Sequence, residues 1–111
     1  MDDLVAHEER EVLVPHVCDL EVVSALRAIT RRGAAKAEET EAVLRVYSAL
    51  PLERLGHLPM LSRIFELRDN FSPYDAAYAV LAESFEAPLY TADSGLARAT
   101  RAHTGVEVVE I

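Results

Sequence analysis

A chain of 111 residues, half of them hydrophobic, is long enough for one compact core and too short for two domains. Nineteen acidic against eleven basic residues leave a formal charge of −8, which excludes nucleic-acid binding by broad electrostatic attraction and requires any such contact to be local or metal-assisted. The single cysteine, Cys18, excludes an internal disulfide, and without an apolar run of about 18 residues or a positively flanked leader the expectation is a soluble, cytoplasmic protein.

Met1 to Glu9 has the composition of the end of a polar helix, and Val12-Leu13-Val14-Pro15 reads as a short buried strand stopped by proline. From Asp19 to Arg32 a helix is predicted with Val22, Val23, Leu26 and Ile29 on one face; Arg31 and Arg32 suit its C-terminal dipole and Gly33 its cap. Ala37 to Leu50 repeats the pattern, with Val43, Leu44, Val46, Tyr47 and Leu50 inward, Glu38, Glu39 and Glu41 outward near its start, and Pro51 as its stop.

Leu52 to Leu55 is a candidate edge strand, and Pro59 suits the first turn of a helix carrying Leu61, Ile64, Phe65 and Leu67. Ser72 opens a helix that runs to Glu83 and is apolar on every side from Ala76 to Ala82, so it must be enclosed between layers. A strand from Pro88 to Asp93, a short helix from Gly95 to about Arg101 and a last strand from Val106 to Ile111 complete the order. Strands alternating with helices predict a mostly parallel α/β sheet.

Three carboxylates fall where elements begin or end: Glu21 in the first turn of its helix, Asp75 in the first turn of the next candidate, and Asp93 after a strand. Sites in open α/β sheets form outside the carboxyl ends of the strands. Carboxylates converging there repel unless a cation separates them, and all-oxygen ligation suits Mg²⁺ or Mn²⁺. Each acid also has a structural explanation. Ser72-Pro73-Tyr74-Asp75 matches a capping box, Glu21 suits a helix dipole shared with Asp19, and Asp93 suits a turn or N-cap before Gly95. Spacing alone leaves both readings of each acid open.

The remaining candidates point to structure. Arg27, Arg31 and Arg32 read as a solvated helix end, although they have the charge to meet RNA phosphates or an acidic partner. His7, His16, His57, His103 and Cys18 show no paired ligand spacing, and Tyr47, Phe65, Tyr74, Tyr78 and Phe85 sit at helical spacings that predict core packing rather than base stacking. No phosphate-cradling glycine loop supports a nucleotide-binding ATPase, and no aspartate after an early strand supports a phosphoaspartyl phosphatase.

The segments LVPHVCDLEVVSALRAITRRG, ELRDNFSPYDAAYAVLAE and APLYTADSGLARA together resemble PIN-domain ribonucleases of the VapC toxin type, found in bacterial toxin–antitoxin pairs. The likeness runs through nearly the whole chain from Val12, and its specific part is the order and context of Glu21, Asp75 and Asp93. It implies a three-layer α/β/α fold with a mostly parallel central sheet and a magnesium- or manganese-dependent endoribonuclease. It further implies that Glu21, Asp75 and Asp93 hold the metal with Thr91 in support, that a small antitoxin neutralises the protein, and that it forms homodimers.

The family opens with a hydrophobic interior strand ending in an aspartate, and this sequence shows no such segment; Asp2 or Asp3 would have to reach the site from the terminus. The expectation is therefore a PIN-like domain with its first strand missing, the natural product holding roughly 20 to 30 further residues upstream. β-strands beside the gap would then carry unpaired backbone groups. The competing expectation is a catalytically incomplete PIN-like module that binds an antitoxin without cleaving RNA.

Overall fold

The computed structural model describes residues 4–7 and 11–111. In chain order these form β1 (Leu4–His7), β2 (Glu11–Pro15), α1 (Val17–Arg31), α2 (Ala37–Ser48), β3 (Leu52–Leu55), a 3₁₀ turn (Leu58–Met60), α3 (Leu61–Glu66), α4 (Pro73–Ser84), β4 (Leu89–Thr91), α5 (Ser94–His103) and β5 (Val108–Glu110). They divide into two compact units, a helical pair from Val17 to Pro51 and a sheet unit made of β1, β2 and His16 together with Leu52 to Ile111.

In the helical pair, α1 closes as its sequence predicts. Gly33 takes the left-handed conformation with φ of 76°, and the N–H groups of Gly33 and Ala34 donate to the carbonyls of Thr30 and Ile29 at 3.1 Å each. That arrangement satisfies the terminal carbonyls at little steric cost because glycine has no Cβ. At the start of α2, Glu39 reaches back to accept from the Lys36 N–H at 3.0 Å.

The interior of the pair is narrower than the apolar pattern implies. Cys18, Val22, Thr40 and Tyr47 are buried, whereas Val23, Val43, Val46 and Leu50, all expected inside, are exposed, Val46 to 66%. Successive residues point about 100° apart on a helix, so Val22 and Val23 cannot both face one partner. The inward stripe of α2 is Thr40, Leu44 and Tyr47, with Val43 and Val46 each one residue off it. Polar contacts complete this interior: the Thr30 and Thr40 hydroxyls share a 2.9 Å hydrogen bond, and the Tyr47 hydroxyl donates to Asp19 Oδ1 at 2.5 Å. Burial and the Asp19 and Cys18 contacts push the Tyr47 hydroxyl well above the usual tyrosine range, so it stays protonated and donating.

The sheet has the order β3-β2-β1-β4-β5. β2 and β3 are parallel, with Val12 opposite Leu52 and Pro15 opposite Leu55, and β4 and β5 are parallel, with Leu89 opposite Val108. β1 runs antiparallel to both its neighbours, with Val5 opposite Leu13 on one side and Leu89 on the other. Four strands thus point one way, which bears out the mostly parallel mixed α/β sheet.

Two expectations about the N-terminal stretch change. Leu4–His7 is a strand and not the end of a polar helix, while residues 1–3 and 8–10 of that prediction lie outside the described residues. So few residues are too short to nucleate a helix, but a strand of this length is stable when neighbours pair with both of its edges. The same segment gives β2 and β4 a common pairing partner at the sheet interior, where unpaired backbone groups were expected.

α4 carries the core. Every residue from Ala76 to Ala82 is buried, as the all-round apolar sequence requires, and the helix packs on β1, β2 and β4 and against α3. Its alanines bring the backbone close to the sheet. Arg63 of α3 clamps Glu83 of α4 through Nε and Nη2 at 2.8 and 3.1 Å, a two-pronged geometry that fixes how the helices meet.

Other positions depart from the pattern. Phe65 is 65% exposed and Tyr74 is exposed as well, although their helical spacing predicts core packing, and Leu61 on the same helix as Phe65 also faces solvent. α3 is a six-residue helix entered through a 3₁₀ turn that contains Pro59. The one inward stripe runs through Met60 of the turn, Ile64 of the helix and Leu67 at its C-cap. β3 and β5 form the two edges, β3 as predicted, and α5 ties β5 down through Arg101, whose guanidinium donates to Glu110 at 2.6 Å and to the Val108 carbonyl at 3.2 Å.

Truncating Leu81 to alanine leaves a cavity at the centre of the sheet unit and is expected to cost about 3 kcal/mol in chemical denaturation. Tyr47→Phe removes a hydrogen bond to a carboxylate and is expected to cost about 2 kcal/mol. Because the Tyr47 pKa is raised on folding, its contribution is complete below the unfolded value near 10 and is lost as pH rises beyond it. Stability measured against pH should therefore fall more steeply above that value in the parent than in the phenylalanine variant.

Candidate functional site

β4 ends at the edge where parallel strands present their carboxyl termini, and the turn that follows is built to hold one carboxylate. Thr91 is fully buried, and its Oγ1 accepts from the Asp93 N–H at 3.0 Å. Asp93 is the N-cap of α5, its Oδ1 accepting from the N–H groups of Gly95 and Leu96 at 2.8 and 3.0 Å. Glycine at position 95 lets the cap fit closely, since a Cβ there would stand 3.2 Å from Asp93 Oδ1. The cap occupies one oxygen of an exposed carboxylate, and a carboxylate has a second for another ligand. Thr91 and Asp93 are thus joined within one turn.

Asp75 stands at the N-terminal end of α4 in the same unit. Ser72 caps the helix, its Oγ accepting from the Asp75 N–H at 3.1 Å, and Pro73 fills the first helical position, where a missing N–H costs nothing. The cap therefore uses the backbone of Asp75. The side chain is half-buried at the mouth of the enclosed helix, where the dipole favours a negative charge.

Glu21 belongs to the helical pair, half-buried on α1. It is not in the first turn as expected: α1 begins at Val17, so the first-turn acid is Asp19 and Glu21 is the fifth residue. Asp2 and Asp3 lie outside the described residues. The three carboxylates offer the hard oxygen donors that Mg²⁺ and Mn²⁺ prefer. Among the described residues, no three His, Cys, Asp or Glu side chains form a group suited to a metal ion.

One feature was invisible as spacing. His16 and His57, which seemed scattered, meet edge to face with ring centroids 5.9 Å apart and planes at 70°. Each follows the carboxyl end of one of two adjacent parallel strands, β2 and β3, and only that pairing relates them. His103 packs similarly against Phe71 at 6.3 Å; the side chain of His7 lies outside those described. Arg27, Arg31 and Arg32 are exposed, as a solvated helix end should be. Among the described residues no helix is long and apolar enough to cross a membrane.

No model of a known protein family matches the sequence. Individual relatives do. Ribonuclease VapC9 of Mycobacterium tuberculosis is 35% identical over 96 residues, 86% of this chain and 76% of the relative. Ribonuclease VapC12 of the same organism is 32% identical over 98 residues, covering 88% and 76%, and ribonuclease VapC1 is 37% identical over 86 residues, covering 77% and 65%. The chain belongs to the VapC family of PIN-domain ribonucleases.

The likeness to VapC9 and VapC12 spans more residues than either compact unit holds, so residues of both the helical pair and the sheet unit are shared with VapC ribonucleases. Asn at position 93 keeps an oxygen for the α5 cap, whereas Ala removes it. Asp93→Ala is expected to lose about 1 kcal/mol of stability and Asp93→Asn only a few tenths, as thermal unfolding would show.

Proposed function

We propose that this VapC ribonuclease is a divalent-cation-dependent endoribonuclease of the cytoplasm, the toxin of a type II toxin–antitoxin pair, that hydrolyses RNA phosphodiester bonds. The observation that carries this reading is the turn after β4: an exposed Asp93 held rigidly by a buried Thr91 and two backbone N–H groups, at the edge of an α/β sheet where ligands bind. The names of the relatives supply the substrate class, RNA.

In this reading Glu21, Asp75 and Asp93 hold Mg²⁺ or Mn²⁺. When bound, the cation supplies activation of water and neutralises charge developing on the departing oxygen. Asp93 contributes the oxygen not engaged in capping, and Thr91 fixes the direction of that carboxylate through its grip on the Asp93 N–H. Asp75 brings a carboxylate to the start of α4. Such a local site reconciles RNA binding with a formal charge of −8. The antitoxin and a second copy of the chain are the partners of this reading. The exposed Val43 and Val46 on α2, and Leu61 and Phe65 on α3, support it as apolar surface that partners would cover.

The lack of a three-ligand group among the described residues favours one alternative, a module that binds antitoxin and leaves RNA intact. The readings separate in one assay. Purified protein should cut a mixed single-stranded RNA pool with Mg²⁺ or Mn²⁺ and stop with EDTA, and Asp93→Asn and Asp75→Asn should each lower the rate at least about 100-fold while unfolding like the parent. Undiminished cleavage by both variants would remove these residues from the site, and antitoxin binding without cleavage by the parent would establish the module.

A further inference from the structure

His16 and His57 have no part in the carboxylate site, yet they stand on the same sheet edge. His16 directly follows Pro15, and its N–H donates to the Leu55 carbonyl at 3.0 Å, extending the β2–β3 ladder by one residue. Its backbone is therefore held like that of a strand. The ring lies beside Gly56, where an added Cβ would stand 3.8 Å from His16 Cε1, and meets the His57 ring at 5.9 Å. His16 is nevertheless exposed, whereas His57 is half-buried. The result is an aromatic ring backed edge-on by His57 and open to solvent.

β2 and β4 point the same way with only β1 between them. Two strand spacings separate their ends by about 10 Å, so His16 stands within a nucleotide or so, in order of magnitude, of the Thr91–Asp93 turn. Single-stranded RNA is commonly held by stacking unpaired bases on aromatic rings, histidine included. Stacking requires no net positive charge from the protein, which suits an acidic chain whose Arg63 and Arg101 are engaged with Glu83 and Glu110.

We propose that His16 is a stacking platform for a base flanking the scissile phosphate and that His57 is a positioning residue that holds its ring edge-on. The proposal rests on the ribonuclease reading above and adds a contact that sets where along the strand the phosphate comes to lie.

The test uses Asp93→Asn protein, so that the probe survives, and a short single-stranded oligoribonucleotide with 2-aminopurine placed at successive positions. At one position the parent should quench 2-aminopurine on binding. His16→Ala should abolish that quenching and weaken binding by about 5- to 100-fold, His16→Tyr should restore both, and the salt dependence should keep its slope. His57→Ala should reduce the quenching and His57→Phe recover it, with melting temperatures unchanged. Parental quenching and affinity in His16→Ala would overturn the platform. Equal losses in the alanine and tyrosine variants, with the salt slope reduced by about one, would overturn it in favour of a phosphate contact. Cleavage by wild-type protein decides the underlying reading separately: if the parent neither cuts RNA nor, as Asp93→Asn, binds it, the ribonuclease reading fails and takes the platform with it.

Discussion

The enclosure of α4 is the constraint on which the sheet unit depends. A helix with no polar side from Ala76 to Ala82 has no stable position in water and must be covered all round, and here β1, β2 and β4 lie along it with α3 against another side. This requirement draws together strands from the two ends of the chain. It also fixes where the helix begins, because the first polar group able to satisfy the α4 N-terminus is Ser72, at the rim of the layer. Asp75 is held at that rim as a consequence, by the packing of seven residues that follow it.

Capping and metal binding are usually posed as rival explanations of an acidic residue at a helix start. At Asp93 the two are compatible. The field and free N–H groups that make a helix start hospitable to one carboxylate oxygen also lock the side chain in one rotamer, and a locked carboxylate presents its other oxygen in a fixed direction. Thr91 adds a second constraint from the strand side.

The sequence revealed elements far better than faces. Helices α1, α2, α4 and α5 and strands β2 to β5 stand where periodicity and Gly and Pro signals put them, because such signals act within a few residues. Which apolar residues are buried depends on how wide the partner surface is, which no local signal reports. Val46 and Phe65 obey helical spacing and still face solvent, since a narrow helical pair and a six-residue helix each bury one stripe. Leu4–His7 was misread for a related reason, because a strand this short is defined by its two neighbours and by little in itself. Of the candidate site, the cap positions of Asp75 and Asp93 are legible in the local sequence, because Ser72-Pro73 and Gly95 mark the helix starts. The His16–His57 contact was not, because it exists only through the parallel pairing of β2 with β3.

The placement of β1 bears on how the chain acquires its structure. One edge of this strand pairs with β2, its immediate successor in sequence, and the other with β4, most of the chain's length away. The first pairing closes a short loop and the second a very long one, so they differ greatly in entropic cost and in the time at which they become possible. During synthesis the β1–β2 hairpin can form while α4 and β4 are still unmade, leaving one edge of β1 open as a template for another strand. Arrival of β4 ends that exposure, and β5 then adds to its far side. The interval between the two events is when the nascent chain is most vulnerable to pairing with a neighbour.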